Sequence, residues 1–209
     1  MEQEKQPLFS AHEKNVQYLK KLLGTEKSFD LIHLDLEYVN RRTDLFLIDG
    51  FAKDDILHYL MAFLAKLEPA DVEPDVLEKL LKSYIPYIEL DQIDDLNQAA
   101  DVVLAGPTIL FMEGLYKLMI RSPAEPDLER VVRGSRDGFV ETIVFNTSLI
   151  RRRVRDRSLT MEYLQIGRRS KTDVAICYLA DIADPKRVKH LKHTLKKIDT
   201  DGLPMAEKT

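Results

Sequence analysis

The sequence has no tryptophan and one cysteine, Cys177, among its 209 residues. A single thiol excludes an intramolecular disulfide and any multi-cysteine zinc site, and it suits a reducing compartment. Cys177 lies in the apolar run Ala175-Ile176-Cys177-Tyr178-Leu179, a setting in which a free cysteine packs as a small hydrophobe rather than serving as a nucleophile. No window approaches the ~20 apolar residues that span a bilayer as a helix. The start, Met1-Glu2-Gln3-Glu4-Lys5-Gln6, is polar and lacks the apolar core of a signal peptide. Read alone, the sequence predicts a soluble, cytoplasmic chain.

Motifs for chemistry are also scarce. Ser170-Lys171-Thr172 is only superficially like a phosphate-binding loop, because Ser170 stands where the glycine before the lysine should be. The segment also joins two predicted strands, so no helix N-terminus is available to hold a phosphate. Of the five histidines, only His190 and His193 share a helix face, and no third ligand accompanies them, so no metal is expected. His33 and His58 read as packing or surface residues. The pairs Asp54-Asp55 and Asp94-Asp95 sit where helices begin, where the helix dipole accounts for them. No Gly-x-Ser-x-Gly elbow appears. The sequence predicts no enzyme and no cofactor.

What the chain does have is charge, unevenly spread. The net charge is only -4, yet Glu68 to Asp101 holds ten acidic residues against two lysines, and Arg121 to Lys171 holds twelve basic against seven acidic. Such segments read either as solvated faces of two units or as surfaces that dock on each other, within the chain or between copies. The densest basic run is Arg151-Arg152-Arg153-Val154-Arg155. Nucleic-acid binding would call for a basic domain with stacking aromatics beside the run, whereas this chain is acidic and Phe139 and Phe145 fall on the apolar side of their helix. Nucleic acid is not an expected partner.

The spacing of Val16, Leu19, Leu22 and Leu23 predicts a helix over 11–23, ended by Gly24. Strands are predicted at Phe29–Tyr38 and Leu45–Ile48, with a polar turn at Asn40-Arg41-Arg42. A helix from Asp54 or Asp55 runs to about Leu67 with Leu57, Leu60, Phe63 and Leu64 on its buried stripe. Helices follow at about 75–83 and 91–104, then a hairpin at 109–120 turning on Glu113-Gly114. Ser122 to Pro126, with two prolines, reads as a linker. Beyond it the order recurs: a helix over 137–154, strands at 159–166 and 174–179, and a helix opened by Asp184-Pro185. Arg41-Arg42-Thr43-Asp44 and Arg168-Arg169-Ser170-Lys171-Thr172-Asp173 occupy the same place in each half, an offset of 129 residues if Thr43 is set on Thr172. The predicted fold is α/β, with two small, topologically similar subdomains at 1–124 and 125–209, each a mixed sheet with flanking helices. The second half shows no counterpart of the 107–122 hairpin, so the chain is expected to be truncated within its second subdomain. The exposed sheet edge would then lie on the 159–166 and 174–179 hairpin.

From Val131 to Pro185 the sequence carries a linked set of elements: Arg133-Gly134, Gly138-Phe139-Val140-Glu141, Asn146 to Arg153 with its three terminal arginines, and Gly167-Arg168-Arg169-Ser170-Lys171-Thr172. This stretch resembles the signature of the GerA-type spore-germination A subunits, and it departs from that pattern at Ser135-Arg136-Asp137, where many relatives have proline and glutamate. The resemblance implies the N-terminal region of a spore inner-membrane protein, on the core (cytosolic) side, with a multi-pass membrane domain elsewhere in the polypeptide. It further implies assembly with copies of itself, with a small membrane partner protein and with other germination proteins, in a complex that releases ions. The alternative is a sensor closing on a small molecule or ion between the two subdomains. The residues marked for interaction are Arg133, Arg136, Asn146, Arg151, Arg152, Arg153, Arg168, Arg169 and Lys171. A polar Asn146 among apolar neighbours should bond a backbone group, since an unpaired buried amide is costly. The arginines at the helix end gain from its dipole.

Overall fold

The computed structural model describes residues 5–51, 54–72, 89–91, 93–121 and 138–201. Its first helix, α1 (His12–Leu23), forms where Val16, Leu19 and Leu23 recur on one side, and all three are buried. Gly24 ends it in the left-handed conformation, φ 72°, with its N–H donated to the Lys20 carbonyl. Strands β1 (Leu31–Tyr38) and β2 (Arg41–Ile48) follow as an antiparallel hairpin. Val39 and Asn40 both have positive φ, 54° and 57°, the two-residue turn whose twist matches that of the strands. That tight turn draws Arg41 and Arg42, expected in the turn, into the strand. Helix α2 (Asp54–Leu64), a 3-10 turn (Pro69–Val72) and β3 (Glu89–Asp91) come next. Helix α3 (Leu96–Ala105) starts at Asp95, whose carboxylate accepts the Asn97 N–H, and ends at Gly106. Strands β4 (Thr108–Met112) and β5 (Leu115–Arg121) close a five-stranded sheet in the order β1-β2-β4-β5-β3.

Alternation along β2 and β4 builds the core. Phe46, Ile48, Ile109 and Phe111 point to one face and meet α1 and α3 through Leu19, Leu23, Ala100, Val103 and Leu104. Leu45, Leu47, Leu110 and Met112 point to the other and meet Leu60, Phe63 and Leu64 of α2. A sheet buried on both faces reads as a continuous apolar run, which is why residues 45–48 and 109–112 lack a polar alternate.

The second unit repeats the order helix, strand, strand, helix: α4 (Ile143–Arg153), β6 (Leu159–Ile166), β7 (Thr172–Leu179) and α5 (Pro185–Lys196). Both expected α/β assemblies are present. Every described strand pairing is antiparallel, so the sheets are not mixed: hairpins join β1 to β2, β4 to β5 and β6 to β7. His12 to Ile143, Arg41 to Thr172 and Asp54 to Pro185 are each 131 residues apart. Arg41, not Thr43, therefore stands opposite Thr172. Leu31 and Leu159 are only 128 apart, because the hairpin turn is longer in the second unit and the loop before its first strand shorter. The expected helix at 75–83, the linker at 122–126 and the 124/125 boundary lie outside the described residues.

A side-chain clamp recurs at the same spacing. Asn15 of α1 accepts the Phe9 N–H at 2.8 Å and donates to the Phe9 carbonyl at 2.9 Å. Asn146 of α4 does the same to Val140, at 2.7 Å for both bonds. Asn15 is buried and Asn146 half-buried. Asn15→Ala orphans two backbone groups and should lower the unfolding free energy by about 2 kcal/mol, against about 1 kcal/mol for Asn146→Ala. Urea unfolding of the two variants measures the difference.

Candidate functional site at the junction of the two units

Helix α4 presses on the first unit where Gly50 lets it approach. A Cβ at Gly50 would lie 3.2 Å from Val144 Cγ1 and 3.3 Å from Ser148 Cβ, and its φ of +77° suits glycine. One turn on, Arg151 enters the junction with no exposed surface. Its Nε donates to Asp30 Oδ2 at 2.7 Å and its Nη2 to Asp30 Oδ1 at 3.1 Å, a two-pronged pair with both side chains fully buried. The guanidinium makes three further bonds: Nη2 is shared with Ser28 Oγ at 3.2 Å and the Leu159 carbonyl at 2.9 Å, and Nη1 donates to the Asp156 carbonyl at 3.1 Å.

Ser28 completes the node. Its hydroxyl donates to Asp30 Oδ1 at 2.5 Å and accepts the Met161 N–H at 2.8 Å, while the Phe29 N–H reaches the Met161 carbonyl at 2.9 Å. One backbone and one side-chain bond thus fix residues 28–29 against Met161 of β6. A second arginine, Arg157, joins the loop before β6 to α3: Nη2 donates to Asp101 Oδ1 at 2.7 Å and to the Asn97 carbonyl at 2.8 Å. Cys177 lies nearby; burial, with the Asp30 charge adding to it, pushes its thiol pKa up.

The residues marked in the sequence do not form one site. Arg151 is the node. Arg152 stacks its guanidinium over Phe51, 5.6 Å from the ring centroid. Arg153 is exposed in the last turn of α4. Asn146 is the clamp at the start of the same helix. Arg168, Arg169 and Lys171 occupy the β6–β7 turn at the opposite end of the hairpin, where Arg168 pairs with Asp199 at 3.2 Å and Asp201 at 3.4 Å. Arg133 and Arg136 lie outside the described residues. Ser28, Asp30 and Arg157 carried no sequence signal; a lone aspartate before an apolar strand and an arginine in a loop are ordinary.

A second polar group, also missed, lies under α1. Asp44, buried on β2, accepts from His12 Nε2 at 2.7 Å and His33 Nε2 at 2.6 Å. His33 is therefore a bonded partner of a core carboxylate. A cleft of about 450 Å³ opens beside it between α1 and the β1–β2 face.

Comparison with known proteins fixes the affiliation. The profile described as Bacillus/Clostridium GerA spore germination protein matches residues 17–209. The chain belongs to the GerA spore germination family. Stage V sporulation protein AF of Bacillus subtilis (strain 168) is 37% identical over 204 residues, which cover 94% of this chain and 41% of that protein. Spore germination protein B1 of the same organism is 28% identical over 199 residues, covering 91% of this chain and 41% of that protein. The uncharacterized membrane protein YfkQ is 32% identical over 193 residues, 87% of this chain and 37% of its own length. This GerA chain therefore spans well under half the length of these relatives. The crystal structure of the N-terminal domain of the A subunit of the Bacillus megaterium spore germinant receptor GerK3 shares the fold, with a TM-score of 0.73 at 23% identity over 94% of this chain and 75% of that one. Among the described residues, no helix is long and apolar enough to cross a membrane.

Two measurements test the site. Arg151→Ala leaves a buried carboxylate unpaired and should cost about 3–5 kcal/mol, whereas Arg151→Met combined with Asp30→Leu should recover much of that loss. Equal destabilisation by both variants in calorimetry would mean that packing, not charge, dominates. At Asp44, burial works to raise the carboxyl pKa, but the hydrogen bonds from His12 and His33 outweigh it and hold the pKa below the ordinary 3.8. Its stabilising contribution is complete above that value and lost as pH falls through the lower folded value. Asp44→Asn should therefore flatten the acid limb of a stability–pH curve.

Proposed function

We propose that this chain is a non-enzymatic assembly and regulatory domain of a membrane complex in the spore inner membrane, facing the core (cytosolic) side and contributing to ion release during germination. The observation that carries this reading is the buried Arg151–Asp30–Ser28 node, which ties α4 to the loop before β1; on this reading the two units, taken as 1–124 and 125–209, move together. A displacement imposed on either unit reaches the other through α4 and β6. The family affiliation supports the setting, and the exposed Arg153, Arg168, Arg169 and Lys171 offer contacts to copies of the chain or to a small membrane partner.

The other reading, a ligand held between the units, has less in its favour. The described junction is filled by a guanidinium, and the 450 Å³ cleft lies inside the first unit. A reproducible rise in melting temperature with one member of a germinant and ion panel would favour it.

Arg157→Ala loosens the second tie between the units without unfolding the chain. It removes a partly exposed contact and leaves the buried pair, so stability should fall by only about 1 kcal/mol. Under the assembly reading, spores carrying that variant at normal protein level release ions more slowly than wild type. Wild-type release from Arg157→Ala spores, and from spores with Arg153 and Arg168 both changed to Glu, would sink it.

A further inference from the structure

Helix α5 holds the same place in its unit as α2, yet the two are built for different surroundings. Helix α2 has no lysine or arginine and buries Leu60, Phe63 and Leu64. Helix α5 buries no residue at all and carries Lys186, Arg187, Lys189, Lys192 and Lys196 without one acidic side chain, with Lys197 as its C-cap. Only Lys192 is strongly held, by Glu162 of β6 at 2.5 Å. Arg187 approaches Asp184 at 3.9 Å. Among the described residues, Lys186, Lys189, Lys196 and Lys197 have no carboxylate partner within 4 Å.

At about 100° per residue, Val188, Lys192 and Leu195 share the side turned to the sheet, Lys186, His190 and Lys197 lie opposite, and Lys189 projects from the flank across from Leu191. Leu191 sits on the flank, 46% exposed, although its counterpart Leu60 is 1% exposed; Ile182, just before the helix, is 75% exposed. A shallow, largely aliphatic groove of about 550 Å³ runs past Lys186, Arg187, His190, Leu191 and Thr194. Helix α2 fills this position without a lysine or arginine, so the fold itself does not call for the unpaired lysines of α5.

We propose that the outer face of α5 docks on an anionic lipid surface, with Lys186 and Lys197 meeting headgroup phosphates directly, Lys189 reaching them from one flank on its flexible stem, and Leu191 on the other flank and Ile182 entering the interfacial layer. Charge complementarity selects an anionic partner. Unpaired lysines on flexible stems around exposed aliphatic groups suit a fluid headgroup layer, where each ammonium finds its own phosphate. A bilayer is within reach of this chain's relatives, one of which is described as a membrane protein. This proposal does not rest on the assembly reading, since it concerns a different face and a different partner.

The test is co-sedimentation of the 209-residue chain with vesicles of phosphatidylglycerol and phosphatidylcholine, against vesicles of phosphatidylcholine alone. Binding should require the anionic lipid and weaken with salt. The triple variant K186E/K189E/K197E should bind about a hundredfold more weakly, while K20E/K21E/K27E, with the same change in net charge on the first unit, should bind as wild type. Circular dichroism checks folding; should the reversed triple not fold, K186Q/K189Q/K197Q should still lose about tenfold or more. Equal binding to neutral vesicles, equal loss in the first-unit triple, or no binding to anionic vesicles overturns the proposal. So does light scattering that shows copies of the chain held together by the α5 lysines, which would assign this face to an acidic protein surface.

Discussion

Everything between the two units depends on one buried ion pair. Moving a guanidinium and a carboxylate out of water costs several kcal/mol each, and the cost is offset only when geometry is good and every remaining donor is used. Arg151 comes close to that condition, with each of its three nitrogens bonded: two bonds go to Asp30, one to Ser28 and two to backbone carbonyls. Such a pair tolerates little misalignment. The close seat of α4 on Gly50 and the Arg152–Phe51 stack are therefore parts of one fit rather than separate contacts.

The contact is also uneven. On the first-unit side it is made by the loop before β1, the turn after β2 and the side of α3, all attached to a sheet packed on both faces. On the second-unit side it is made by α4 and the start of β6, while α5 and the β6–β7 turn lie at a distance from it. One end of the second unit is fixed and the other is open to whatever the chain meets.

Much of the architecture was legible. Helix α1 and its glycine stop, the β4–β5 turn on Glu113-Gly114 and the Asp184-Pro185 helix start all follow from local rules, and the structure has each of them. The strand start at Arg41 was not legible, because a two-residue turn with a valine at positive φ violates the usual turn chemistry and is imposed by the sheet. Asn146 could be read as bonded to the backbone because a polar residue stood in an apolar stretch. Arg151 could be read only as one of three arginines at a helix end. What separates it from Arg152 and Arg153 is its partner 121 residues away, which no local pattern encodes. Asp44 was hidden for the same reason, since His12 and His33 reach it from two other elements.

The paired asparagine clamps show how far the two units are alike. Bonds of the same kind to the residue six positions back recur at the same 131-residue spacing as the helices and second strands, so both units fix the entry to their first helix in the same way. The ion pair has no twin. Lys20 stands where Arg151 would have its counterpart, and Ser158 occupies the place before β6 that Asp30 holds before β1. The clamp is thus common to both units, whereas the charges that weld them are found once each, Asp30 in the first unit and Arg151 in the second. Two similar halves joined by an unrepeated pair make an asymmetric body, in which neither half can take the place of the other.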